Sequence, residues 1–227
     1  MISQPHHITL KPSARARRIT LRLDFSSGTL VLTHPPSTKC SSIEAFIKRH
    51  DPWIRKALAS LPPPLDLTGG GMVLINGIET SIIHTPHAQN GCVLETPVLK
   101  VSGAAEHTER RVQRFLRELA ARELPKLLER EAQNMRVTYT KLDVRNVRSR
   151  WGSCTRNGRI MLSWRLVMCP PLVQSYVAVH ELAHLTYFDH SPAFWSHVDK
   201  FFSKGRSGRV AAELWLRQKG AVLLRVP

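Results

Sequence analysis

His180, Glu181 and His184 stand as H-E-x-x-H, and His190 follows six residues later. On a helix, positions i and i+4 share a face one turn apart. Two imidazoles at this spacing reach one metal ion while the glutamate beside the first projects alongside. A catalytic zinc takes three protein ligands and leaves one position open for water. His180 and His184 therefore need a third donor, and His190 is the nearest. The carboxylates after His184 are Asp189, Asp199 and Glu213, of which Glu213 is the reserve ligand. Glu181 is left to act as general base, so these residues predict hydrolysis with Zn2+ as cofactor.

For His190 to return to the metal, the helix must stop after His184. Ser191 can cap a new helix with Pro192 at its first position, and Ala193, Phe194 and Trp195 begin an apolar face. Upstream, Val173, Tyr176 and Val177 share a side with His180 and His184, while Val179, Leu182, Ala183 and Leu185 cover the rest. A helix apolar nearly all round is a buried one. Polar groups inside it need partners, because burial without one costs about 1–3 kcal/mol each. Hydrogen bonds among core histidines are one answer. A metal is the answer that also uses the third histidine.

A set of motifs surrounds this string: Ser149-Arg150-Trp151-Gly152-Ser153-Cys154, Gly158-Arg159-Ile160, Leu162-Ser163-Trp164-Arg165-Leu166, Val177 to Leu185, and His190-Ser191-Pro192-Ala193-Phe194-Trp195. Together they closely resemble the YgjP-like metallopeptidase family, which is related to the SprT and WLM metalloproteases within the zincins. Arg18 to Leu32 and Ala45 to Leu58 are similar to that family's leading strands and helices. The resemblance implies a zinc peptidase with His180, His184 and His190 as ligands, Glu181 as general base, and a peptide or protein as substrate. The metzincin pattern, by contrast, requires glycine where this chain has Tyr187, and no methionine follows Met168 to form a Met-turn.

Periodicity supplies the expected frame. Strands are expected at 19–25 and 29–33 about a turn at Ser26-Ser27-Gly28, a helix after a capping box at Ser41 and Glu44, and a short helix from Asp51-Pro52 through Leu58. Alternating segments at 72–75, 80–84, 93–95 and 98–101, with turns at Asn76-Gly77 and Asn90-Gly91, suggest a small antiparallel sheet. From Ala105 the period becomes helical, with Val112, Phe115, Leu116 and Leu119 on one face and Pro125 placed to kink or divide the helix. Strands are expected next at 137–141, 144–148, 151–154 and 160–164, the last pair turning at Asn157-Gly158. The fold class is therefore α+β. A zincin-like domain over 104–227, with long helix, small sheet and buried H-E-x-x-H helix, follows a β-rich N-terminal region with short helices over 1–103.

Composition narrows the setting. With 227 residues the chain can bury a real core, and no run of 18 apolar residues is present to span a membrane. The first residues hold no signal-peptide core, and Cys40, Cys92, Cys154 and Cys169 form no C-x-x-C pair, so a cytoplasmic protein without a disulfide framework is expected. Net charge is +16, with 11 basic and 6 acidic residues in 1–103 against 22 and 11 in 104–227. Eight basic residues and the single acid Asp143 lie between Arg136 and Arg165, so weak nucleic-acid association competes with a merely solvated basic surface.

Peptide hydrolysis also needs a positive or hydrogen-bonding group facing the oxyanion. Tyr187, Arg148 and Arg150 are near in sequence, and the hairpin from Trp151 to Trp164 offers an edge strand for an extended peptide, or else two packing tryptophans. Two other functions stay open: a DNA-associated protease of the SprT and WLM type, and an inactive zinc-stabilised interaction protein. Against the latter, a structural zinc site usually closes with four protein ligands and has no use for Glu181. Oligomeric state, peptide specificity and latency are not legible.

Overall fold

Residues with β-branched alternation at the start and a 3.6 period later segregate, among the described residues of the computed structural model, into three small sheets and six α-helices. The structure describes residues 8–24, 27–87, 91–147 and 149–226. The first sheet comprises β1 (Ile8–Pro12), β2 (Thr20–Asp24) and β3 (Thr29–His34) in the order β1-β3-β2. Helices α1 (Cys40–Arg49) and α2 (Asp51–Ala59) follow. Leu30, Leu32, Ile43, Ile47 and Ile54 form a small core of their own there. Strand β1, parallel to β3, was not expected; its Ile8-Thr9-Leu10-Lys11 alternation is short, ends at Pro12 and is almost wholly exposed. Helix α1 begins at Cys40 with Lys39 as its cap residue and no side-chain cap, so Ser41 lies inside the helix and the expected capping box does not form. Phe25, Ser26, Asn90 and Arg148, on which parts of the expectations fall, lie outside the described residues.

The second sheet holds β4 (Met72–Ile75), β5 (Ile78–Thr85), β6 (Cys92–Glu95) and β7 (Val98–Ser102), in the order β4-β5-β7-β6. The tight turn after β4 uses Asn76 at φ 51° and Gly77 at φ 79°, the left-handed pair that a two-residue hairpin requires. The sheet is mixed and not antiparallel as expected. β7 returns between β5 and β6 and runs parallel to β5, because β6 occupies the outer edge as the other arm of a hairpin with β7.

Helix α3 (Thr108–Met135) is continuous through Pro125. Proline withdraws the amide that would bond Ala121, but Ala121 is exposed and its carbonyl can turn to water, while Leu124, Leu127 and Leu128 hold the helix against the core. Beyond it, the strands expected at 137–141 and 144–148 are one strand, β8 (Lys141–Arg145). It joins β9 (Gly152–Cys154) and β10 (Arg159–Ser163) in the order β8-β10-β9. Residues 137–140 are tied down by turn contacts instead, Val137 to Ala132 and Thr140 to Gly158. Then come α4 (Pro171–Ala183), α5 (Pro192–Phe201) and α6 (Gly205–Leu224). The larger core runs in sequence from Leu67 to Val226 and takes side chains from both sides of residue 103. No helix of the described residues is long and apolar enough to cross a membrane.

Candidate active site

Helix α4 is buried on nearly every side, from Val173 to Ala183, and ends with His184 as its C-cap. His180 and His184 therefore project one turn apart at the end of a helix held by the core. The chain then turns, and Ser191 caps α5 by accepting a hydrogen bond from the Phe194 amide at 3.4 Å, with Pro192 in the first turn. Asp189, close to the histidines in sequence, accepts from the Ser191 amide at 3.2 Å and so serves this turn. The turn brings His190 back: one ligand atom each from His180, His184 and His190 lies within 4.8 Å of the others.

These groups fit a metal ion. The Nε2 atoms of His180 and His190 face each other at 3.2 Å, close to the roughly 3.3 Å expected between two nitrogens at about 2.0–2.1 Å from a tetrahedral zinc. His184 donates through Nδ1 to the Tyr187 carbonyl at 2.9 Å, which leaves Nε2 for a metal in the way a ligating histidine is oriented. His180 Nδ1 is buried without a hydrogen-bond partner among the described residues, so no carbonyl orients this ring as the Tyr187 carbonyl orients His184. Burial, with His184 and His190 adding to it, pulls the pKa of His180 down to about 3, the neutral state that a metal ligand needs.

Phe194, fully buried, lies under all three imidazoles with ring centroids 5.0, 4.6 and 4.8 Å from His180, His184 and His190. Trp195 flanks His180 and His190. The apolar start of α5 is thus the floor of the site, which the motif Pro192-Ala193-Phe194-Trp195 signalled only as a helix face.

Glu181 is 7 % exposed, and burial raises its pKa to about 8 although Arg150 opposes the shift. It lies against β9: a Cβ on Gly152 would come within 2.6 Å of Glu181 Cγ and Oε1. Only glycine admits the carboxylate this closely, which gives a physical reason for Gly152 in the Arg-Trp-Gly-Ser-Cys string. A cleft of about 260 Å³ opens here, lined by Arg150, Trp151, Gly152, Tyr176, Val177, His180, Glu181 and Leu216.

Of the other expected groups, Arg150 and Trp151 line this cleft. Tyr187 contributes its carbonyl to His184, and its ring packs edge-on against His197 at 5.3 Å. Trp164 is buried and donates to Asn146 at 3.2 Å, so the two tryptophans of the hairpin have separate roles. β9 is an edge strand, bonded among the described residues to β10 alone. Glu213, the reserve ligand, accepts from the Tyr176 hydroxyl at 2.9 Å and from Arg209 at 3.1 Å. Arg209 also reaches Asp199 through two bonds, at 2.6 and 3.2 Å. This network joins α4, α5 and α6 behind the site, and no periodicity in the sequence announces it.

A helix with convergent histidines, a third histidine returned by the next turn and a buried carboxylate beside them is the arrangement of an α+β metallopeptidase. The chain belongs to the YgjP-like family: the model described as YgjP-like, metallopeptidase domain, matches residues 17–217. No curated protein matches the chain. Among solved structures, the metallopeptidase zymogen of Pyrococcus abyssi abylysin is similar, with 22% identity over 42% of this chain and 95% of that one and a TM-score of 0.37.

Proposed function

We propose that this protein is a cytoplasmic zinc peptidase in which His180, His184 and His190 hold the metal and Glu181 is the general base. The observation that carries this reading is the convergence of three imidazoles beside one buried carboxylate. Zinc bound there would supply Lewis acidity, acidifying water and polarising a peptide carbonyl. Glu181 takes a proton from the attacking water on a carboxylate oxygen and returns it to the leaving amine. Its ionised form is favoured by Arg150 and would be favoured further by a cation bound to the neutral histidines. Arg150, on the wall of the same cleft, is the cation available to the developing oxyanion. β9, an edge strand next to Glu181, can take an extended peptide through main-chain hydrogen bonds. Four unpaired cysteines accord with a reducing compartment.

Elemental analysis with a peptide-library digest tests the proposal. Expected are one zinc per chain and cleavage abolished by chelator and restored by zinc. His190→Ala should lose most of the metal. Cleavage unaffected by chelation, or full zinc occupancy in His190→Ala, contradicts the assignment.

A further inference from the structure

The cleft beside Glu181 has more wall than the hydrolytic step uses. Tyr176 and Val177 lie one helical turn before His180 and Glu181, so the cleft runs along α4 from a polar end to an apolar one. The Tyr176 hydroxyl is engaged by Glu213, leaving its ring to face the cleft. Trp151 enters from the residue just before β9 and Leu216 from α6. Gly220, one turn after Leu216, brings α6 close: a Cβ there would lie 3.1 Å from the Trp151 ring. At about 260 Å³, the space is smaller than the roughly 300–1,000 Å³ of sites for drug-sized ligands, and suits one side chain.

We propose that this cleft is a specificity subsite for one aliphatic or aromatic side chain of the substrate, next to the scissile bond, and that Leu216 sets its depth. The inference rests on the peptidase reading and names the substrate feature that the site selects. An acidic side chain would find Arg150 and a basic one Glu181, but these two groups already act on each other and each brings its like charge close to the other. Either would bury a charge among Trp151, Val177 and Leu216 without a full set of partners, which is costly. An apolar side chain displaces water from these walls and gains. In pockets of this kind one methylene changes selectivity about 10–200-fold.

Two measurements on the zinc-loaded chain decide it. Cleavage sites in a peptide library should show leucine, methionine or phenylalanine at one position beside the cut. Leu216→Ala should shift that preference towards larger rings, and Leu216→Trp towards alanine and glycine, each about tenfold or more. Zinc content and melting temperature of both variants show whether they fold. Independently of hydrolysis, calorimetric titration of Glu181→Gln with N-acetyl amino-acid amides should rank leucine and phenylalanine above aspartate and lysine, with the ranking altered by Leu216→Trp. An unchanged cleavage profile in both Leu216 variants, or binding indifferent to side chain, overturns the subsite. Selective binding with no cleavage by the wild type would instead overturn the peptidase reading and leave the subsite standing.

Discussion

At the scale of single residues, the ligands and the base can be separated by experiment. Glu181 follows His180, lies against Gly152 under the electrostatic influence of Arg150, and is not among the three groups that gather to hold a metal. Glu181→Gln keeps the shape and removes the base. Zinc content should stay near the wild-type level while peptide hydrolysis falls by about 10²–10⁴-fold; equal rates from the two proteins would refute the general-base role. A second residue prediction concerns pH. Burial, with the charge of Glu181 adding to it, pushes the Cys154 thiol up to about 11. At pH 8 only about one molecule in a thousand carries the reactive thiolate, and that fraction grows as pH rises towards 11. Alkylation followed by mass spectrometry should modify the exposed Cys40 well before Cys154 at pH 8, with Cys154 catching up at higher pH.

At the scale of elements, the site depends on where α4 stops and α5 starts. The C-cap at His184, the turn through Asp189 and the Ser191 cap together decide that His190 comes back to its partners. Ser191→Ala removes the cap and should lower stability by about 1 kcal/mol. It should also weaken zinc binding, though less than His190→Ala, since a frayed α5 start lets His190 wander without deleting it. Zinc titrations of the two variants against wild type test this ordering, and an unaltered affinity in Ser191→Ala would show that the turn holds without its cap. The capping signal was legible because Ser-Pro at a helix start is a local preference. Neither the continuity of α3 through Pro125 nor the merger of two expected strands into β8 was legible, because each depends on which surface the segment packs against.

At the scale of the whole molecule, charge is the dominant feature. Net charge is +16, but the basic run between Arg136 and Arg165 is weaker as a surface than its count suggests. Arg165 is fully buried, donating to Asn146 at 2.7 Å and to the Val226 carbonyl. Arg159, Arg145 and Lys141 gather around Asp143. What is left predicts weak, sequence-tolerant association with polyanions. Affinity for duplex DNA, followed by fluorescence anisotropy, should be measurable at low salt and fall steeply as salt rises, with a slope set by the phosphates neutralised. Binding that survives high salt, or none at low salt, would contradict a purely electrostatic surface.

The histidine spacing, the Ser191-Pro192 helix start and the left-handed turn at Asn76-Gly77 were readable from the chain alone. Each is a contact between residues a few positions apart, governed by helix period, capping or backbone sterics. Tertiary structure alone decided that β7 lies beside β5, that Gly152 makes room for Glu181, that Tyr176 bonds Glu213, and that Leu216 lines the cleft. Periodicity tells which face of an element is apolar. Which distant face it meets is settled only when all of them compete for burial in one core.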